Sequence, residues 1–143
     1  MILKELMREY CDVFKLTENA RISNAAEMMY EKKIGAIVIV DEVDFVKGII
    51  TDRDIALSLA LGAATPESFV SEVMTKDVET INESMNLFDV TRHIKSVNVK
   101  RLPVLDAFGK LRGIISVDDI MAILSREMFD TCSSLESKLG HLV

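Results

Sequence analysis

Two short stretches each carry a hydroxyl and an acid three residues apart, directly after Gly-Ile-Ile. They are Thr51 and Asp54 in "GIITDRDI", and Ser116 and Asp119 in "GIISVDDI". At a helix start this spacing is an acidic capping box: the hydroxyl accepts from a first-turn amide and the carboxylate accepts from the cap's own amide. Capping explains both residues and is worth about 0.5–2 kcal/mol per helix. It does not explain Gly48 and Gly113 on the preceding strand, where a missing Cβ lets something approach the backbone. A helix start also offers free amides and a positive dipole end to a phosphate. A carboxylate one turn on suits the two hydroxyls of a ribose. A hydroxyl near phosphate and an acid on ribose together describe a nucleotide site.

The two phrases lie 65 positions apart, and the whole chain repeats at that offset without a gap. Asp12 aligns with Asp77, Glu18 with Glu83, Asp41 with Asp106, Gly48 with Gly113, Ile55 with Ile120 and Leu59 with Leu124. Duplication on this scale makes each copy one structural unit. Within a unit, "DVFKL" or "DVETI" reads as a short strand ending in a polar turn. A helix follows, with Ile22, Ala25, Ala26 and Met29 at i, i+3, i+4, i+7, matched by Leu87, Val90, Thr91 and Ile94. "AIVIVD" and "RLPVLD" read as apolar strands, joined by the turns "EVD" and "AFG" to "FVKGII" and "KLRGII". Pro103 lacks an N–H, so its strand is expected at an edge or with that side unpaired.

A closing helix begins after each Gly-Ile-Ile. The first is expected to stop at Gly62. The second has no stop, and Ile120, Ile123, Leu124, Met128, Leu135 and Leu139 extend it as a long amphipathic helix whose outer turns need a covering surface. The expected fold is α/β (α+β), two β-α-β-β-α units packed sheet to sheet with pseudo-twofold symmetry. Residues 1–62 form the first unit, with a short leading helix around 2–9, residues 63–70 the linker and 71–143 the second unit, with "VSEVM" leading toward it. Neither small sheet covers both its faces alone, which is why the two are expected to meet.

Composition narrows the function. At 143 residues and 49% hydrophobic the chain has material for a core, and a net charge of −6 disfavours nucleic-acid binding. "MILKELMREY" interleaves charges with apolar residues, so neither a signal peptide nor a membrane anchor is expected. Cys11 and Cys132 are far apart, with no CxxC and no histidine cluster, which points to reduced thiols in the cytoplasm and no metal site. No P-loop, dinucleotide, serine-hydrolase or zincin motif occurs, and no nucleophile with a held base is visible, so no catalytic residue is assigned. Met28, Met29, Met121 and Met128 fit helical patterns and read as core filler, while His93 and His141 read as surface residues.

"GIITDRD" and "GIISVDD", with "VKRLPVLD" and "VMTKDVETI", resemble the signature segments of CBS domains, and the tandem resembles a CBS pair, or Bateman module. The similarity covers almost the whole chain. It implies adenine nucleotides, AMP, ADP or ATP, in clefts between the units, with S-adenosylmethionine or NAD(H) ranked behind them and no other cofactor. Thr51 and Ser116 would then meet phosphate, and Asp54 and Asp119 the ribose. Backbone around Ile34, Gly35, Ala36 and Ile37, and around Lys100, Arg101, Leu102 and Pro103, would line the adenine. The two sites are expected to differ. Arg53 offers the first a guanidinium; in the second, Lys100 and Arg101 bring positive charge while Asp118 stands where the first unit has Arg53. The leading expectation is a non-catalytic sensor that forms a homodimer or signals to an effector protein. The alternative is a structural adaptor whose clefts stay empty.

Overall fold

Apolar runs too short for helices and too apolar for an exposed surface form the centre of each repeat. The computed structural model describes residues 2–5, 13–97 and 100–140. The first repeat runs β1 (Lys15–Thr17), α1 (Ile22–Lys32), β2 (Ala36–Val40), β3 (Val46–Thr51) and α2 (Asp52–Ala60). The second runs β4 (Ile81–Asn82), α3 (Leu87–Val97), β5 (Arg101–Leu105), β6 (Leu111–Ser116) and α4 (Val117–Gly140). Each makes a three-stranded sheet with its middle strand parallel to the first and antiparallel to the third. The β-α-β-β-α unit read from the sequence is present twice.

Strand β2 is buried along its whole length because both of its faces have partners. Ile37 and Ile39 point into the first repeat's core with Ile22, Ala25 and Ile50. Val38 and Val40 point the other way and meet Leu111 and Ile114 of the second repeat. The sheets therefore pack face to face, as a small sheet with helices on one side requires. Both hairpins share one irregularity: pairing slips between Ile39 and Val40 and again between Val104 and Leu105. Their turns match too. The Asp41 carboxylate accepts from the amides of Val43 and Phe45, as that of Asp106 does from Phe108 and Lys110. Left-handed backbone falls on Asp44 in one turn and Gly109 in the other. The Leu111 amide donates to the Asp44 carbonyl at 2.9 Å, tying the hairpins together.

Pro103 lies in the middle strand of its sheet, and the open-side half of the expectation is the one the fold adopts. At the equivalent position Val38 donates its amide across to the Phe14 carbonyl. Proline cannot, and strand β4 starts only at Ile81, opposite Val104, so no ladder bond is required where the N–H is missing. This explains why the strand expected over "DVETI" begins four residues late, after Asp77 in left-handed backbone. The first strand also begins late, at Lys15.

Core packing crosses the order of the chain. Leu3, in the short helical turn at residues 3–5, is buried among Ile81, Val90, Leu102 and Ile115 of the second repeat. Its amide donates to Met85 and that of Lys4 to Glu83. Val70 and Met74, expected to lead toward the second repeat, instead close the core of the first. The rest of the predicted leading helix, and Cys11, lie outside the described residues. Two further expectations change. Ala26 is exposed, so the stripe of α1 is Ile22, Ala25 and Met29. Met121 and Met128 face outward on α4 and do not fill the core. Helix α2 does stop where expected: it ends at Ala60, is capped by Leu61, and Gly62, at φ +73°, turns the chain away.

Candidate functional site

Both strand-to-helix junctions form the reciprocal cap that their sequences predict. The Asp54 amide donates to Thr51 Oγ1 at 3.1 Å, and the Thr51 amide to Asp54 Oδ2 at 3.0 Å. The Asp119 amide donates to Ser116 Oγ and the Ser116 amide to Asp119 Oδ2, each at 3.0 Å. One carboxylate oxygen of each acid, Oδ1, is left over from the box. Each helix start is also held to the strand beside it: the Asp52 amide donates to the Gly35 carbonyl and the Val117 amide to the Lys100 carbonyl.

What faces each junction is less symmetric. Ser116, Asp118 and Asp119 open on a recess of about 230 Å³ whose other wall is Phe14, Ile34, Gly35 and Ala36 of the first repeat, with Ile114 beneath and Arg101 at the side. The site is thus composite, taking its acid and hydroxyl from one repeat and its apolar wall from the other. A wider recess of about 790 Å³ adjoins it, sharing Ile34, Gly35 and Arg101 and adding Met29, Tyr30, Glu31, Lys33 and Asp52. Gly35 lies at the junction of the two. A Cβ there would stand 3.1 Å from Asp52 Oδ2 and 3.6 Å from Arg101 Nη2, so its absence lets the helix start and the guanidinium draw close. Among the described residues Arg101 has no ion pair. An unpaired guanidinium beside an apolar wall is suited to an anion that the wall alone could not hold.

Of the remaining sequence candidates, Ile37 and Leu102 send their side chains into the two cores, leaving only backbone for a ligand, and Pro103 is buried in its sheet. Thr51, Arg53 and Asp54 sit at the other junction, and Arg53 is exposed. At the 65-residue offset, Phe14 and residues 34–36 of the first recess correspond in sequence to Glu79 and residues 99–101. Residues 98 and 99 lie outside the described residues. His93, expected on the surface, is half-buried with Nε2 shielded and 3.8 Å from Glu79 Oε2. His141 lies outside the described residues.

Gly48 answers to the protein's own chain. A Cβ there would meet Met74 Sδ at 2.6 Å and the Thr75 carbonyl at 2.8 Å, and Thr75 exchanges two backbone hydrogen bonds with Ile49. The glycine makes room for the Met74 and Thr75 segment that follows the linker, which corrects the expectation that a ligand approaches there. Phe14 and Ile114 were not singled out from the sequence. Strand alternation carries a signal for Ile114: it stands between buried Gly113 and Ile115 and so faces the other sheet.

The CBS domain family model matches this chain twice, over residues 3–61 and 70–126. The CBS domain-containing protein YhcV of Bacillus subtilis is 33% identical over 108 residues, 76% of each chain. An uncharacterized protein of Methanopyrus kandleri is 33% identical over 99 residues, 68% of this chain, which spans about half of that relative's length. Among solved structures, the CBS-domain protein ATU1752 of Agrobacterium tumefaciens superposes with a TM-score of 0.71 at 30% identity, covering 86% of this chain and 98% of its own. The CBS domain pair of protein MJ0100, in complex with 5'-methylthioadenosine and S-adenosyl-L-methionine, does so at 0.74 and 27% identity, covering 89% and 98%. Two gapless copies, two matched segments and the paired sheets agree, and the chain belongs to the CBS-domain family as a tandem pair.

Proposed function

We propose that this chain is a non-catalytic regulatory module that binds an adenosine-containing ligand in the recess between Asp119 and the wall of Phe14, Ile34, Gly35 and Ala36. The observation that carries the reading is that recess itself: a capped acid with one oxygen to spare, facing apolar side chains and exposed backbone across a repeat boundary. Phe14, Ile34 and Ile114 cover the faces of a purine, and the backbone at Ile34 and Ala36 reads its edge. Asp119 accepts from the ribose hydroxyls. Arg101 meets a phosphate, with Ser116 and the amides of α4 behind it. The likeness to a pair solved with two adenosine compounds supports the ligand class.

Charge orders the ligands within that class. Asp118 and Asp119 flank the one guanidinium lining the recess, so each phosphate beyond the first meets growing repulsion. AMP therefore ranks ahead of ADP and ATP. The second junction, where the sequence has Glu79 at the position of Phe14, binds more weakly. The bound state is read out through self-association or by an effector protein.

Isothermal titration of the full chain with AMP, ADP, ATP, S-adenosylmethionine and NADH tests this. One strong binding event is expected. Asp119→Ala should weaken it by roughly 10–100-fold, the value of a lost charge-assisted hydrogen-bond pair, while Asp54→Ala should leave it unchanged. An empty adaptor predicts no saturable binding by any of the five and, for both variants, only the loss of a cap. That outcome, or equal effects of the two substitutions on binding, would overturn the reading.

A further inference from the structure

Helix α4 continues well past the fold it closes. The second family match stops at residue 126, yet the helix runs to Gly140, and every residue from Met128 to Gly140 is exposed. That stretch includes Thr131, Cys132, Ser133, Ser134 and Ser137, all modest helix formers, and it is shorter than an isolated helix needs to persist in water. Its apolar residues are not scattered. Met121, Met128 and Leu135 recur every seven residues, and Cys132 and Leu139 form a second seven-residue series offset by four and three. These are d and a positions of a coiled-coil seam, with Ser125 at the first a position, and Asp130, Ser133, Ser134 and Ser137 occupy the opposite face.

We propose that residues 121–139 pair with the same segment of a second copy as a parallel, in-register two-stranded coiled coil. Area supports a second copy as the occupant. Met121, Met128, Phe129, Leu135 and Leu139 are 57%, 68%, 70%, 52% and 59% exposed. At roughly 100 Å² each, a symmetric pair covers on the order of 1,000 Å², the threshold for a specific interface. The flanks choose the orientation. In the parallel register Leu124 lies beside Phe129 of the second copy and Thr131 beside its Glu136, so apolar meets apolar and no like charges oppose. An antiparallel arrangement of the same seam sets Leu124 beside the charged Lys138 of the second copy.

The test is sedimentation equilibrium of the full chain with and without Met128→Glu plus Leu135→Glu, two exposed positions that leave the core alone. The wild-type chain should be a dimer, and the double variant should dissociate at least ~100-fold more readily, because two charges enter an apolar seam. Far-UV circular dichroism should show it still folded, having lost only tail helix. A short bismaleimide should link wild-type subunits through Cys132. Cys132→Ser should abolish the link and Cys11→Ser should not. A monomeric wild-type chain, a double variant that still dimerises, or a dimer not linked at Cys132 would each overturn the proposal.

Discussion

The two strand-to-helix junctions are nearly interchangeable as backbone and dissimilar as chemistry. Their capping bonds agree within 0.1 Å, 3.0 and 3.1 Å in one and 3.0 Å twice in the other. One is walled by Phe14, Ile34, Gly35 and Ala36, and at the corresponding positions the second half of the sequence has Glu79, Val99, Lys100 and Arg101. Symmetry is kept where it closes a helix and given up where the molecule faces a cleft. A repeat can thus retain both frames while the residues around them diverge.

Substitutions can break or sharpen this comparison, and the largest effect should be the most symmetric. Ile37 and Leu102 are equivalent, fully buried positions in the two cores. Ile37→Ala and Leu102→Ala should each cost about 2–5 kcal/mol in urea denaturation. Both should give a single transition, since each core is closed by a segment preceding the other repeat. Gly48→Ala should cost about 1–3 kcal/mol, as overpacking does, because the new methyl meets the Thr75 carbonyl and that strand of backbone is pinned by Ile49. Thermal melting would show it, and a neutral result would remove the packing role assigned to that glycine.

Phe14→Glu gives the first wall the residue that the second repeat has at the corresponding position. It should weaken AMP about 10–100-fold by calorimetry through lost apolar contact and added negative charge, with little change in the melting midpoint. Smallest are the caps: Thr51→Ala and Ser116→Ala should each cost about 0.5–2 kcal/mol, matching in stability while only the second affects ligand. Equal binding losses would erase the distinction between the junctions.

How much of this the sequence revealed depended on range. The junctions, the Asp41 and Asp106 turns and the offset of the repeats were legible because each is settled within a few residues of backbone. Pro103 announced its missing bond, and the short β4 is the answer. Which repeat walls which junction was not legible, since that is fixed by contact between sheets whose partners lie far apart in the chain: Phe14 and Ile114 carry no motif. Gly48 misled for a related reason, because its neighbour Thr75 arrives from the linker. Met121 and Met128 misled differently. Helical spacing marks a face that seeks cover without saying whether its own chain supplies it.

Helix α4 starts at the recess, with Asp119 in its first turn, and ends 24 residues later at Gly140. At 1.5 Å per residue it is a rod about 36 Å long, held in the body only near its base. A tilt of about 5° at the root swings the far tip through about 3 Å. The length that serves no purpose in closing the fold is thus leverage, magnifying any small change of angle at the base into a displacement of several ångströms at the tip.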